Sequence, residues 1–145
     1  MLVDLVALVA ATLFAGAALY ITLVEHPARM SLDDGPLLAQ WQPSYTRALP
    51  IQAGLAVLGV AAGLVAWYAH RDWQWMTASL LLLCNWPFTL LVIMPTNKRL
   101  MAIDPRHAGA ESRGLLRRWG TLHSVRSALG SAAAFLFAWE LLLTR

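Results

Sequence analysis

The sequence predicts an all-α protein, a bundle of four transmembrane helices in a single domain covering residues 1–145. Four apolar segments, 2–24, 49–69, 75–94 and 122–143, each have about the ~20 residues that a helix needs to cross the hydrocarbon layer. They are apolar on nearly every side, whereas a soluble core helix carries a polar stripe. Hydrophobic residues make up 59% of the chain against 13% charged, and the mean hydropathy is +0.56. These features indicate an integral membrane protein.

The first segment is interpreted as a span and not as a cleaved signal peptide, because only Asp4 precedes its apolar run and no basic leading region is present. In the second segment Gly59 and Gly63 have the spacing that lets membrane helices approach closely, which we ascribe to packing within the bundle. The third contains Pro87 near its middle, so we expect that helix to bend. The fourth is the most polar at its start.

The connections alternate between long and short, with predicted loops at 25–48, 70–74 and 95–121. The two long loops hold eight of the basic residues outside the spans, and the opposite side holds two, Arg71 and Arg145. The eight are Arg29, Arg47, Lys98, Arg99, Arg106, Arg113, Arg117 and Arg118. This asymmetry predicts that both long loops are cytoplasmic and both termini lie outside. A bacterial inner membrane is the expected location.

Within the first long loop, the turn-forming run that ends at Pro36 predicts a short interfacial helix over residues 37–47, anchored by Trp41.

The basic pI near 9.6 comes from the loops beside the spans, so topology explains it and no nucleic-acid partner is expected. A single cysteine, Cys84, excludes a disulfide scaffold within one chain. The lipid bilayer is an expected partner, and a homo-oligomer is compatible with the sequence.

Hydrogen-bonding side chains from all four helices gather at the cytoplasmic ends of the spans. Polar residues in a bilayer usually face the bundle interior or a cavity, so this convergence predicts a functional site. The members of this set that we assign to the site are His26, Gln52, Asn85, Thr89, Asn97, Trp119, His123 and Arg126, with Trp41 from the predicted interfacial helix.

The fourth helix carries the strongest pattern, because Trp119, His123, Arg126 and Gly130 lie on one helical face. Histidine exchanges protons near neutrality, and an adjacent arginine can stabilise an oxyanion. The alternative is structural: Arg126 extends to lipid headgroups and His123 bonds to a neighbouring backbone group. Asn85 likewise has two interpretations, repair of the bend at Pro87 or contact with a ligand.

A metal- or haem-binding membrane protein is a further alternative, because several histidines and carboxylates lie on the predicted cytoplasmic side. Imidazole and carboxylate suit zinc, iron or copper, but no HExxH or comparable spacing occurs in the sequence. Only His26 and His123 are at a depth suited to axial ligation of haem. We therefore expect no metal ligands and no cofactor.

Three segments resemble the anthrone oxygenase-like membrane family: Asn85-Trp-Pro-Phe-Thr, Met94-Pro-Thr-Asn-Lys-Arg-Leu, and Trp119-Gly-Thr-Leu-His-Ser-Val-Arg. The resemblance covers nearly the whole chain and is strongest over 85–126. It implies a small membrane oxygenase that acts on polycyclic phenolic substrates without flavin, haem or metal. The implied partners are an apolar aromatic small molecule and dioxygen.

This chemistry fits the residues named above. His123 is the candidate base, Asn97 and Arg126 would hold the enolate oxygen, and Trp119 would stack on the flat ring system. The substrate-binding residues would be Asn85, Thr89, Gln52, His26 and Trp41.

Two other classes compete with the oxygenase. A non-catalytic bundle that binds a lipid or quinone would use the same polar residues to hold headgroups and helices together. Four-span glutathione-dependent membrane enzymes have a similar size, but their Glu-Arg and Asn-containing motif is absent from the second span, which offers only Gln52.

Overall fold

Four long helices form an antiparallel bundle in the computed structural model, which describes residues 2–143. They are α1 (Leu2–Met30), α2 (Asp34–His70), α3 (Trp73–Ala102) and α4 (Ala110–Leu143), and each is long and apolar enough to cross a membrane. Helices α1 and α3 each pack against both α2 and α4, so the four surround one shared core. The described residues contain no strand. The predicted all-α four-helix architecture is confirmed.

The connections between the helices are much shorter than the sequence predicts. Residues 31–33 join α1 to α2, and 103–109, which include one 3₁₀ turn at Pro105–His107, join α3 to α4. The predicted long loops at 25–48 and 95–121 are therefore wrong, because most of their residues extend the spans as helix. We call the end of the bundle that carries these two turns the turn end, and the opposite end the terminal end.

Side chains from neighbouring helices hold these helical extensions in place. Gln42 of α2 donates hydrogen bonds to the carbonyl oxygens of Leu100 (3.0 Å) and Ile103 (2.9 Å) at the end of α3, where carbonyls lack partners within the helix. Arg113 of α4 donates to the carbonyl of Met30 at 3.0 Å and also pairs with Asp34. The ends of α1 and α3 are thus capped by tertiary contacts that no local sequence signal shows.

Residues 37–47 are helical as predicted, but they belong to the long helix α2, and the prediction of a separate interfacial helix is wrong. The chain remains helical from Asp34 through Pro43 and Pro50 to His70. Trp41 does not anchor a surface helix, because its side chain is 0% exposed and packs in the core. Burial of the apolar face of this segment outweighs the local preference of proline to end a helix.

The core has two tiers along the bundle axis. The tier at the terminal end is rich in alanine, with Phe14, Trp75 and Phe137 as its large members. The tier at the turn end resembles a soluble core, with large side chains that include Leu37, Trp41 and Trp119. Polar side chains separate the two tiers.

Close approach of α2 to its neighbours depends on two glycines. A Cβ added at Gly59 would meet the side chain of Leu82, and one at Gly63 would overlap Ser79 and lie 2.7 Å from the ring of Phe137. The predicted small-residue spacing is thus used for packing inside the bundle.

Two helices are irregular where they pass the polar layer. α1 has a π-helical segment at Ile21–Glu25, and α3 has one at Thr89–Ile93. α3 is also interrupted at Cys84, just before Pro87, as expected from the proline. Such segments re-aim side chains and occur frequently at functional sites.

Candidate functional site

Two cavities lie between the tiers of the core. The first, which we call the polar cavity, has a volume of about 20 Å³, enough for roughly one water molecule. It is lined by side chains from all four helices. They are Ile21, Arg29, Trp41, Ser44, Tyr45, Ala48, Leu49, Gln52, Ile93, Asn97, Trp119, His123 and Arg126.

The second cavity, which we call the apolar cavity, has a volume of about 210 Å³ and lies further towards the terminal end. Its lining is mostly hydrocarbon and aromatic. It consists of Phe14, Leu49, Gln52, Ala53, Ala56, Asn85, Trp86, Thr89, Leu90, Met94 and Arg126. Leu49, Gln52 and Arg126 line both cavities and therefore form the boundary between them.

His123 is buried, and Thr22 and Ser127 form a hydrogen-bond chain at its Nδ1. Thr22 Oγ1 lies 2.8 Å from Ser127 Oγ and 3.1 Å from His123 Nδ1, and Ser127 Oγ also lies 3.3 Å from the His123 carbonyl oxygen. When Ser127 donates to this carbonyl, Thr22 donates to Ser127 and accepts from Nδ1–H, which leaves on Nε2 the lone pair that a base needs. When Ser127 donates to Thr22, Thr22 donates to Nδ1 and Nε2 carries the proton.

Arg126 is a cation without a counterion at this site. Its guanidinium lies 5.6 Å from the ring centre of Phe14, and its Nε is buried without a hydrogen-bond partner. Among residues 2–143, no carboxylate lies within salt-bridge distance of Arg126. A half-buried cation of this kind is suited to binding an anionic oxygen of a ligand.

A series of ring contacts supports the imidazole. Trp119 stacks on His123 with ring centres 4.8 Å apart, and Trp41 meets Trp119 edge to face at 5.6 Å. Tyr45 in turn stacks on Trp41 at 4.9 Å. These contacts fix the His123 ring and occupy much of the surface of Trp119.

Asn97 and Tyr45 form a polar pair on the wall of the polar cavity. Asn97 Nδ2 donates to Tyr45 Oη at 3.1 Å, while Asn97 Oδ1 is buried without a partner in the described chain. The Tyr45 hydroxyl has only a 4.0 Å contact with Met94 Sδ for its own proton. The pair therefore offers one donor and one acceptor to the cavity.

A second arginine, Arg29, lines the polar cavity and is only 3% exposed. It pairs with Glu25 and donates to Ser44 at 3.3 Å. Glu25 also accepts from Ser44 at 2.7 Å and from Gln40 at 3.2 Å. Arg29 is therefore neutralised, which leaves Arg126 as the cation available to a ligand.

His26 lies behind the polar cavity and not in its wall. Its ring centre is 5.2 Å from that of Trp119, and a Cβ added at Gly120 would overlap its imidazole. His26 is thus placed to support Trp119. Among residues 2–143, no group of three or more His, Cys, Asp or Glu side chains is arranged to hold a metal ion.

Asn85 and Thr89 lie together on the wall of the apolar cavity. Asn85 Nδ2 donates to the carbonyl of Leu82 at 3.1 Å, next to the interruption of α3 at Cys84. Asn85 Oδ1 and Thr89 Oγ1 are buried and have no hydrogen-bond partner among the described residues. Each of these two residues therefore keeps hydrogen-bonding capacity for a ligand.

The structure divides the predicted site residues between the two cavities. His123, Asn97, Trp119 and Trp41 line the polar cavity together. Asn85 and Thr89 line the apolar cavity, Gln52 and Arg126 line both, and His26 lines neither.

Sequence reasoning missed Tyr45 and Ser127 and treated Arg29 only as a loop charge. A helical pattern could have found two of them, since Tyr45 follows Trp41 by four residues and Ser127 follows His123 by four. The predicted loop at 25–48 concealed the first relation. Burial of Arg29 depends on α2 packing over it and has no signal in the sequence.

Comparison with known proteins connects this geometry to a family. Residues 41–136 match the family model for anthrone oxygenase. An anthrone oxygenase of Claviceps purpurea (strain 20.1) is 28% identical over 148 residues, which cover 92% of this chain and 85% of the relative. Anthrone oxygenase dmxR16 of Cryptosporiopsis sp. (strain 8999) is 30% identical over 133 residues, covering 84% of this chain and 75% of the relative.

No solved structure gives a significant match. The two relatives come from fungi, so they give no support to the expected bacterial inner membrane. The family model spans α2 from Trp41 to its end, all of α3, and α4 as far as residue 136, the part that carries His123 and Arg126. On the extent of that match, the chain belongs to the anthrone oxygenase family.

Proposed function

We propose that this protein is a membrane oxygenase that uses dioxygen to oxidise an anthrone-like fused-ring phenolic ketone to the corresponding quinone. One observation carries the proposal: Arg126, a half-buried cation with no carboxylate partner in residues 2–143, stands between an apolar cavity and the polar cavity that holds His123. The apolar cavity suits an apolar ring, His123 suits removal of a proton from an acidic C–H bond, and Arg126 suits a ketone oxygen that becomes negatively charged.

The first step is removal of a proton. The ring carbon opposite the ketone of an anthrone is acidic, because the resulting anion is delocalised onto the ketone oxygen. His123 Nε2 is the base, acting across the water-sized polar cavity, and Arg126 stabilises the enolate oxygen. Asn97 and Tyr45 complete the polar wall beside that oxygen.

The second step uses dioxygen. The carbanion adds to O₂, and the peroxide anion that forms takes up a proton to give a hydroperoxide at the ring carbon. Loss of water from this carbon leaves a carbonyl, so one oxygen atom enters the product and the other leaves as water with the two hydrogens of the methylene. The substrate supplies all the electrons, so the reaction can proceed without a cofactor.

Trp119 and His26 have supporting roles in this proposal. Because Trp119 contacts His26, Trp41 and His123, we assign it to holding the imidazole and not to stacking on the substrate. His26 and Trp41 act through Trp119.

Oxygen uptake by the purified protein tests the proposal. The protein in nanodiscs should consume one O₂ per anthrone and yield the quinone, above the rate of empty nanodiscs. A matched His123→Ala sample serves as the second control. If the parent protein gives no uptake above the empty nanodiscs with any anthrone, the oxygenase assignment is wrong and a non-catalytic bundle that binds a lipid or quinone replaces it.

A metal or haem would change the mechanism, and elemental analysis with a visible spectrum tests for one. We expect substoichiometric transition metal and no haem band. One iron or copper per chain that is lost in His26→Ala or His123→Ala would make these residues ligands and rule out a cofactor-free reaction.

A further inference from the structure

The apolar cavity lies at the depth of the hydrocarbon layer. Its α3 residues, from Asn85 to Met94, belong to the apolar span 75–94. Trp86 and Leu90 in its wall are 39% and 53% exposed on the outer surface of the bundle. A surface of this hydropathy faces lipid, so a molecule that enters the cavity between α2 and α3 comes from the bilayer and not from water.

The wall of this cavity contains hydrogen-bonding atoms that the fold leaves unused. Asn85 and Thr89 are 2% and 8% exposed, and Asn85 Oδ1 and Thr89 Oγ1 have no partner among the described residues. Four residues apart on α3, they lie one above the other on the same face. Unpaired polar atoms are costly in hydrocarbon, so their retention here indicates a ligand that pairs with them.

The chemistry of these atoms restricts the ligand. Asn85 Nδ2 already donates to the Leu82 carbonyl at 3.1 Å, so its free oxygen can only accept. The Thr89 hydroxyl can donate or accept, and Arg126 at the inner end can only donate. A hydroxyl group satisfies Asn85 and Thr89 together, and an anionic oxygen satisfies Arg126. An acyl chain satisfies none of the three.

We propose that the apolar cavity is the substrate-binding site for a hydroxylated fused aromatic ring that enters from the bilayer between α2 and α3, with Asn85 and Thr89 recognising its hydroxyl and Arg126 its ionisable oxygen. The identity of the ring system rests on the proposed function. The position of the site and its preference for a hydroxyl rest on the cavity and on the unpaired atoms.

Binding without oxygen tests the preference for a hydroxyl. Under nitrogen, quenching of tryptophan fluorescence in nanodiscs gives Kd values for a dihydroxyanthrone and for unsubstituted anthrone. Asn85→Leu keeps the side-chain size and should weaken binding of the dihydroxyanthrone on the order of tenfold or more, because one buried hydrogen bond is lost. Binding of unsubstituted anthrone should change by less than about twofold on the same reasoning. Equal losses for both compounds, or no loss, would overturn the assignment of Asn85.

Substitutions that fill the apolar cavity test whether the substrate binds there. Ala53 lines the apolar cavity, whereas a Cβ at the adjacent Gly54 has nothing within 4 Å. Ala53→Trp should weaken binding of both anthrones at least tenfold, and Gly54→Trp should match the parent. Size-exclusion chromatography checks that both variants fold. If Ala53→Trp does not fold, Ala53→Leu replaces it with the same expectation of direction. Binding by a folded Ala53 variant that equals the parent's would place the site elsewhere.

A long-chain alkane, which has no polar atom, serves as the competitor that represents an acyl chain. If it displaces the anthrones at comparable concentration, and Asn85→Leu has no effect, the cavity is an acyl-chain groove and the proposal is wrong.

The outcomes separate this inference from the proposed function. Anthrone binding that depends on Ala53 and Asn85, without any oxygen uptake, would contradict the oxygenase reaction and leave the site in place. Oxygen uptake that is unaffected by both substitutions would contradict the site and leave the reaction in place.

Discussion

His123 and Arg126 lie one turn apart on α4, but their surroundings prepare them for different tasks. His123 is fixed by Thr22 on one side and by the stacked indole of Trp119 on the other. Arg126 is held by neither a carboxylate nor a hydrogen bond at Nε in the described chain. A fixed neutral imidazole is suited to proton removal, and an unpaired cation to stabilising charge.

We therefore expect substitutions of the two residues to impair the reaction in different ways. His123→Ala should reduce the rate of anthrone oxidation on the order of 10²- to 10⁴-fold, and higher pH should restore part of it because anthrones ionise in alkali. Arg126→Gln should lose a similar factor without restoration, since the lost interaction is electrostatic. The test is to measure the oxidation rate as a function of pH for the parent and for both variants, each shown to be folded. An unchanged rate in His123→Ala would make the histidine structural.

The hydrogen-bond chain from His123 to Thr22 and Ser127 gives a second prediction. When Nε2 is the base, the Thr22 hydroxyl accepts from Nδ1–H; Thr22→Val removes this acceptor, so the imidazole can take the other tautomer, in which Nε2 is protonated. We expect kcat to fall roughly tenfold, the effect of one hydrogen bond, with KM little changed. Thr22→Ser keeps the hydroxyl and should restore kcat. Equal losses in Thr22→Val and Thr22→Ser would point to packing instead.

At the scale of the helices, the boundaries depend on tertiary contacts more than on local signals. α2 is helical from Asp34 to His70 although it contains Pro43 and Pro50. Its first part is stabilised because one face is buried against α1 and α4, and because Gln42 caps the end of α3. The sequence places a break there since proline is a strong local signal, whereas the burial that overrides it involves residues distant in sequence.

The contact of α2 with α3 and α4 at Gly63 predicts a specific loss of stability. Gly63→Ala places a Cβ against Ser79 and within 2.7 Å of Phe137, which the packed core cannot absorb freely. We expect destabilisation of about 1–3 kcal/mol, as for other overpacked cores, and a lower apparent Tm in detergent. Gly54→Ala is the matched control, because its Cβ meets nothing within 4 Å and helix propensity favours alanine. If both variants had the same Tm, the proposed close packing at Gly63 would be contradicted.

As a whole molecule, the bundle is longer than a bilayer is thick. The 37 residues of α2 extend for about 55 Å, against a hydrocarbon layer of about 30 Å. The apolar spans place the membrane towards the terminal end, so the helical extensions project at the turn end. The polar cavity then lies near the interface and the apolar cavity within the bilayer, with Arg126 between them.

The orientation of the bundle remains a prediction, and basic residues at the turn end support it. Burial removes Arg29 from the exposed set and pairing partly removes Arg113, but the other basic residues of the turn end stay exposed. At the terminal end, Arg71 is exposed and Arg145 lies outside the described residues. From this distribution the positive-inside rule predicts a cytoplasmic turn end.

Cysteine labelling in intact cells checks this orientation. In a Cys84→Ala background, Arg71→Cys should react with an impermeant thiol reagent, and His107→Cys should react only after the membrane is permeabilised. Both positions are exposed, so accessibility to solvent is matched. Labelling of position 107 and not 71 in intact cells would reverse the orientation.

The sequence by itself determined the class of fold, because four apolar segments of sufficient length have few alternatives to a helical membrane bundle. It also determined that polar side chains from all four helices converge, since the cost of burying them in lipid restricts where they lie. On one helix, periodicity was sufficient to align Trp119, His123 and Arg126.

Only the tertiary structure decided how these residues are divided. Assignment of Asn97 and His123 to one cavity and of Asn85 and Thr89 to another depends on how α2 and α3 pack, which no periodicity within one helix describes. The same is true of Tyr45 and Arg29, whose place in the site follows from the folding of a predicted loop into helix. The protonated nitrogen of His123 likewise depends on Thr22, a residue 101 positions away. The local sequence pattern indicates which residues share one face of a helix. Contacts between helices that are distant in sequence determine what that face packs against.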